Sequence, residues 1–316
     1  MNEEIRNILA EAGTKTSKIR KLLLLGLTHR EIAELVTRGN RGFVWNVYKK
    51  MRDEGLLPAA RTSVVTVPDL DYSFRRKFGV EIEAYNCTRE RLVHELREAG
   101  IEVNSEAYNH HLRSRWKLVT DSSLNGNDTF ELVSPILVGE DGLEELEKVC
   151  WVLDACNVKL NGSCGLHVHM SAEDFSITTW QNLLLSYSYK HAEIEIDKFM
   201  PVSRRGNNNN FCTSLCRFSD ERIRSARNIE ELQNLFPTRY MKVNLKAYSR
   251  HKTVEFRQHS GTISFTKMEN WVRFLDRMIA FASVSALPTG VRLENFPFFG
   301  EKQKLYYKLR TKKLAV

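Results

Sequence analysis

No run of about 18 apolar residues occurs anywhere in the 316-residue chain, which removes the sequence signature of a membrane-spanning helix. A secretory leader is not expected either: Met1-Asn2-Glu3-Glu4 is acidic where a leader would be basic and then apolar. The expected location is therefore the cytoplasm. Cysteine is scarce and unpaired in spacing. The six residues Cys87, Cys150, Cys156, Cys164, Cys212 and Cys216 form no C-x-x-C motif, so they read as free, mostly buried thiols in a reducing compartment. Cys212-x-x-x-Cys216 could join a metal site, but nothing else in the sequence supports that. Internal repeats and low-complexity segments are absent apart from the polar loop Asn207–Asn210, which follows Arg204-Arg205-Gly206.

What is present is an ordinary globular composition, 42% hydrophobic and 27% charged, at a length that suits one large domain and a small one. The net charge is +8 and unevenly spread. Residues 201–260 carry twelve Lys or Arg against five Asp or Glu, a balance that suits an anionic ligand such as nucleotide phosphate or nucleic acid, or a solvated basic surface.

Residues 1–60 read as a helix-turn-helix module. Three short helices are expected within 17–56, with apolar Ile19, Leu22 and Leu23 on the first, Ile32, Ala33 and Val36 on the second, and Val44, Val47, Tyr48 and Met51 on the third. Gly26 is expected to end the first helix and Thr28 to cap the second, and Gly39-Asn40 to turn into the third. The module carries eleven basic against seven acidic residues, a net +4. Its third helix would offer Arg41, Asn46, Lys49 and Lys50 to DNA, or Trp45 and Tyr48 as anchors for a protein partner. Residues 61–76 read as a linker: Pro58, Pro68 and the β-branched run Val64-Val65-Thr66-Val67 suggest a linker or an edge strand. Residues 77–316 form the larger domain. Strands are expected over 77–85, 116–120, 129–134, 165–170, 241–248 and 253–258, with Ser249-Arg250-His251-Lys252 as the hairpin turn between the last two. Helices are expected over 88–99, 143–155, 178–200 and 267–286. Several strands follow one another without an intervening helix, so the fold class is α+β, a mainly antiparallel sheet with helices on one face.

Three of these strands carry polar residues at a spacing of two: Gly79-Val-Glu81-Ile-Glu83, Gly165-Leu-His167-Val-His169 and Val254-Glu255-Phe-Arg257-Gln-His259. Residues i and i+2 of a strand share a face. One face should therefore collect Glu81 and Glu83, His167 and His169, and Glu255, Arg257 and His259, while Val80, Ile82, Leu166, Val168 and Phe256 face a helix-covered core. Unpaired buried ions cost several kcal/mol each. A bound cation is the natural compensation. Carboxylates favour Mg²⁺, which commonly bridges to nucleotide phosphates, and an arginine beside it would neutralise a transferring phosphoryl group. Any one pair alone has an ordinary explanation, a solvated strand face or a structural histidine. An H-x-H pair also suits zinc.

Together with Asp121-Ser-Ser-Leu124, Glu131-Leu-Val-Ser-Pro-Ile-Leu137, Cys164-Gly-Leu-His-Val-His-Met170, Ser203-Arg-Arg205 and the stretch from Arg239-Tyr to Thr253-Val-Glu-Phe-Arg-Gln-His-Ser-Gly-Thr262, these motifs resemble the amidoligases of the glutamine-synthetase-like superfamily, relatives of glutamine synthetase and glutamate–cysteine ligase. The resemblance runs from about Phe78 to Ala286. It implies a glutamine-synthetase-like catalytic sheet forming a funnel, entered by ATP at one end and a carboxylate substrate at the other. Carried over residue by residue, it implies Glu83 and Glu131 as ligands of one Mg²⁺ (or Mn²⁺). Glu81, His167 and Glu255 become ligands of a second, Arg257 the phosphate-binding arginine, and His169 a group near the nucleotide or its metal. Arg204 and Arg205 become arginines reaching substrate or γ-phosphate, and Asp121 and Ser123 neighbours of the substrate. Asn244 and His259 are implied to line the same pocket. A third carboxylate for the first metal is not evident.

The implied activity is an ATP-dependent carboxylate–amine ligase acting through an acyl phosphate, with carboxylate and amine substrates as partners and DNA as a further partner of residues 1–60. The sequence leaves the substrates and the oligomeric state open. Three other readings compete: a zinc-dependent hydrolase using His167 and His169, a catalytically inactive ligand-sensing DNA-binding regulator, and a phosphoryl-transfer enzyme of the guanidino-kinase shape. The hydrolase accounts for neither the carboxylates of the first strand nor the Glu-x-Arg of the last.

Overall fold

The computed structural model describes residues 3–25, 27, 29–56, 73–109, 111–236 and 238–315. The chain divides into two compact units, Met1–Val67 and Pro68–Val316. The expected linker or edge strand falls outside the described residues up to residue 72, including its Val64–Val67 run and Pro58 and Pro68, as do Gly26 and Thr28; its last residues, 73–76, are irregular chain leading into the first strand of the second unit.

The first unit contains helices α1 (Glu3–Ala10), α2 (Lys15–Leu24), α3 (His29–Val36) and α4 (Arg41–Asp53). Each is 8 to 13 residues long, too short to persist alone in water. They are held by a shared core of Ile19, Leu22, Leu23, Ile32, Ala33, Val44, Val47 and Met51. Thr14 caps α2 by accepting from Ser17 N at 3.1 Å, and Asn40 caps α4 by accepting from Phe43 N at 3.1 Å. Helix α1 is not anticipated by the sequence reading. It packs Ile5, Ile8 and Leu9 on the core, and Lys18 Nζ donates to Leu9 O at 2.6 Å near its end.

The second unit is built on an eight-stranded sheet. Its strands are β1 (Lys77–Ala84), β2 (Val103–Ser105), β3 (Trp116–Val119), β4 (Phe130–Val133), β5 (Leu137–Val138), β6 (Gly165–Ser171), β7 (Val243–Asn244) and β8 (Thr253–Ser260). The order is β2-β3-β4-β1-β6-β8-β7, with β5 also on β1. Every pair is antiparallel except β2 with β3. Helices α5 (Arg89–Glu98), α6 (Gly139–Ala155), α12 (Phe265–Ala282) and α7 (Ile177–Ser186) touch one another in that order. The apolar positions Val80, Ile82, Leu166, Val168, Met170, Val254 and Phe256 are almost completely buried, and α12 packs on β6. Short helices α8 (Ile194–Asp197), α9 (Asp220–Ser225), α10 (Ile229–Leu235) and α11 (Ala247–His251), and the C-terminal α13 (Glu301–Lys313), complete the described elements of regular helix.

Two expectations fail here for identifiable reasons. The helix expected over 178–200 is broken: α7 ends at Ser186 with Tyr187 as its cap, Ser188 is extended (ψ 162°), and a π turn, Tyr189–Glu193, precedes α8. The break turns Glu193 and Asp197 toward Lys242. The strand expected over 241–248 stops after two residues. Asn244 accepts from Lys246 N at 2.9 Å, which bends the chain into α11. The expected hairpin turn is thus part of a helix that ends on Lys252 in the left-handed conformation (φ 56°). Strands β2 and β5 and helices α9, α10, α11 and α13 also lie outside the sequence-based assignment.

Candidate active site

Strands β4, β1, β6 and β8 lie side by side, so their polar positions form rows across the sheet. Glu81 is opposite His167 and Val133, Glu83 is opposite Glu131, and His169 is opposite Glu255. These side chains line a cleft of about 1370 Å³. His167 is buried between two glutamates: Nδ1 lies 2.9 Å from Glu81 Oε2 and Nε2 lies 3.5 Å from Glu83 Oε1. His169 Nε2 lies 3.4 Å from Glu81 Oε1, while its Nδ1 meets Thr253 Oγ1 at 2.9 Å. Glu83 Oε2 accepts from Gly165 N at 2.6 Å. A Cβ at residue 165 would sit 3.0 to 3.2 Å from His167 Nε2, Glu83 Oε2 and Arg204 Nη2, so glycine is what lets three polar atoms converge there.

The expected ligand set is partly regrouped. Glu81, His169 and Glu255 each offer a donor atom, and these lie within 4.8 Å of one another. His167 Nδ1 stands 3.8 Å from Glu255 Oε1. Burial opposes ionisation of Glu81, but hydrogen bonds from His167 and His169 outweigh it and hold the carboxyl well below its usual range. Burial likewise opposes ionisation of Glu255, and Arg257 and His169 overcome it. His169 is pushed the other way: burial disfavours its charge, yet Glu81 and Glu255 raise it above its ordinary value. Glu131 is held well above the carboxylate range by burial and then by the charges of Glu81 and Glu83. One carboxyl too many for the cations present, in a set of oxygen donors with one imidazole, fits a hard divalent ion.

The arginines divide. Arg257 donates from Nη1 to Glu255 Oε1 at 2.5 Å and from Nε to Phe211 O at 3.1 Å. Its guanidinium lies 5.9 Å from the centre of the Tyr240 ring. Arg204 lines the cleft, with Nη2 donating to Cys164 O at 2.7 Å and its buried Nε lacking a hydrogen-bond partner. Arg205 does not reach the cleft. It is spent on backbone carbonyls, from Nε to Met200 O at 2.8 Å and from Nη2 to Leu314 O at 2.8 Å. The reason is the tight turn Val202–Arg204, after which Arg205 is extended.

His259 is also displaced from its expected face. A β-bulge breaks the register of β6 with β8: Val168 is opposite Phe256 but Leu166 is opposite His259. Arg257 and Gln258 together oppose His167, so the alternation inverts. His259 joins the core side, buried, with its ring 5.6 Å from that of Trp271. The bulge is pinned from below. Gln258 accepts from Tyr187 Oη at 2.5 Å and donates to Asp197 Oδ1. Asp197 and Glu193 both receive Lys242 Nζ, at 2.7 and 2.6 Å, and Lys242 O accepts from Arg257 N at 2.9 Å.

The remaining positions fall where the cleft needs them. Asn244 Nδ2 donates to Glu255 Oε2 at 2.5 Å. Asp121 and Ser123 line the wall, where Asp121 Oδ1 accepts from Ser123 N at 2.7 Å. Sequence reasoning missed Lys117, a buried cation on β3 that donates to Asn109 O at 2.9 Å and to His111 O at 2.8 Å. It fixes one wall of the cleft. Its position opposite Val133, which is itself opposite Glu81, was the available signal. Arg239, Lys246 and Arg250 also line the cleft. They belong to the basic stretch that composition had marked without placing.

Residues 75–279 match the family model described as "Putative amidoligase enzyme", about two-thirds of the chain. The chain belongs to the amidoligase family. As an amidoligase it is a ligase-type enzyme, and the matched region contains every cleft residue named above. No curated protein matches the sequence. Among the described residues no helix is long and apolar enough to cross a membrane.

Proposed function

We propose that this amidoligase is an ATP-dependent carboxylate–amine ligase with a glutamine-synthetase-like catalytic sheet. The observation that carries the reading is the convergence of Glu81, His169 and Glu255 beside Arg257 on one sheet face. Glu81, His169 and Glu255 would hold one Mg²⁺ or Mn²⁺, and Glu83 and Glu131 would hold a second, with His167 between the two groups. The metal, when bound, neutralises phosphate oxygens as two anions approach.

In the first step a substrate carboxylate attacks the γ-phosphorus of ATP, forming an acyl phosphate and releasing ADP. In the second an amine attacks the acyl carbon, phosphate leaves, the amine loses a proton, and an amide or isopeptide bond results. Arg257 is aimed by Glu255 and Phe211 O at the phosphoryl oxygens, where its charge matters most in the transition state. Arg204 brings a second guanidinium to the same end. Asn244 holds the Glu255 carboxylate, and Asp121 and Ser123 take the polar part of the substrate. The test is a screen of carboxylates and amines for ADP release, with products read by mass spectrometry. Arg257→Ala should lower turnover roughly 10²–10³-fold, the usual loss on removing one preorganised charge-stabilising donor. Near-normal turnover in that variant would remove the phosphoryl-transfer role.

The first unit is read as a helix-turn-helix that brings the ligase to nucleic acid. The net +4 of residues 1–60 and the exposed Arg41, Asn46, Lys49 and Lys50 of α4 support this.

A further inference from the structure

We propose that the outer face of α4 is a base-stacking platform for single-stranded nucleic acid. The inference rests on the nucleic-acid reading of the first unit and deepens it. Val44, Val47 and Met51 bury the inner face of α4. Arg41, Trp45 and Lys49 follow at intervals of four, on successive turns of one outward stripe, and all three are exposed. Trp45 remains 48% exposed although it is not loose. Its ring stacks on Tyr48, with centroids 5.5 Å apart at 27°. The His29 ring meets Tyr48 edge-on at 4.5 Å and Trp45 at 5.7 Å. The indole is thus pinned on one side and open elsewhere, which lowers the entropy lost on stacking against a further ring.

Two observations select the occupant. Residues 35–52 contain five Lys or Arg and no Asp or Glu, so the stripe suits a polyanion better than an ordinary protein surface. Paired bases offer a groove only their edges. An indole face can be used only by an unpaired base, and every base has a π-face to offer. Cations spaced along a row of aromatic rings are how single strands are held without sequence preference.

The experiment uses the full chain, a labelled 20-nucleotide DNA strand of mixed sequence and its duplex, at about 50 mM salt, where phosphate contacts are strong. The single strand should bind more tightly than the duplex and quench tryptophan fluorescence. Trp45→Ala should weaken single-strand binding roughly 5- to 150-fold, the range for losing one stacked base, and abolish the quench. Trp45→Phe should recover part of the affinity. Lys49→Glu should weaken both ligands. Duplex bound as tightly as the single strand, with no effect of Trp45→Ala, overturns the stacking platform and leaves the nucleic-acid reading standing. No binding to either ligand overturns both.

Discussion

His259 offers the sharpest test of the architecture, because its burial has a consequence just below the ordinary range of an imidazole. Its Nδ1 lies 2.7 Å from Ser260 O and must be the protonated nitrogen. Nε2, 3.4 Å from Arg310 Nη2, is then an acceptor. Burial first, and Arg310 second, push the imidazole down from 6.5 to about 3. For a base with a depressed value the native state favours the neutral form. The stability it contributes is complete above about pH 6.5 and is lost as pH falls toward 3, since the unfolded chain takes a proton that the native chain refuses. Between pH 7 and pH 5 this amounts to about 2 kcal/mol at 1.36 kcal/mol per pH unit of differential protonation. For a unit of this size that is roughly 4–8 °C in Tm. His259→Gln can keep a donor for Ser260 O and an acceptor for Arg310 while removing the titration. Urea unfolding at both pH values should show the variant losing about 2 kcal/mol less than the parent between pH 7 and pH 5. His169, which shifts in the opposite sense, is common to both proteins and cancels. Equal losses, or a His259 ring signal titrating near its ordinary value in NMR, would refute the placement of this residue on the core side.

Saturating Mg²⁺ or Mn²⁺ should stabilise the fold by roughly 2.7 kcal/mol at a hundred times Kd, read as a rise in Tm. Glu255→Gln should lose that rise, and an undiminished shift would show that the ion sits elsewhere. Lys242→Met strands the buried Glu193 and the partly buried Asp197 without their cation and should cost about 3–5 kcal/mol in denaturant unfolding; a cost below about 1 kcal/mol, the scale of an exposed ion pair, would mean that Lys242 and Glu193 are not buried together. Burial pushes the Cys150 thiol to about 12 and that of Cys87 to about 11, and Cys216 alone of the six cysteines is exposed. Native alkylation at pH 8 should therefore add one label and denatured alkylation six, with a second native label contradicting the packing.

The alternation of Glu81 with Glu83 and of His167 with His169 was legible in the sequence because unbroken strands keep a period of two, and the cleft floor follows from it. Past Arg257 the same rule failed. A bulge adds one residue without changing composition, so nothing in Val-Glu-Phe-Arg-Gln-His announces that His259 turns inward. Arg204 and Arg205 could not be told apart, since a three-residue turn decides which of two neighbours meets the cleft. The segment 241–248 has the apolar alternation of a strand at Val243 and Leu245, and only the Asn244 side chain, by capping Lys246 N, ends it. Lys117 was passed over because its acceptors are the backbone carbonyls of Asn109 and His111, in an irregular segment only six to eight residues away whose path only the fold fixes. The hydrophobic spacing of the first unit, by contrast, gave the helices of its core directly.

The bulge in β8 and the π turn before α8 are each a local insertion, one in a strand and one in a helix, and they meet through Gln258, Asp197, Lys242 and Glu193. Neither is tolerable alone. A chain that regularised the helix would leave Lys242 without its carboxylates, and one that regularised the strand would take Gln258 from Asp197 and turn Arg257 off its aim. The two irregularities are therefore tied to one another by buried polar contacts. Single-residue deletions at 188–193 and at 257–258 should each be harmful, the first through Lys242 and the second through Arg257, and combining them should not restore either residue.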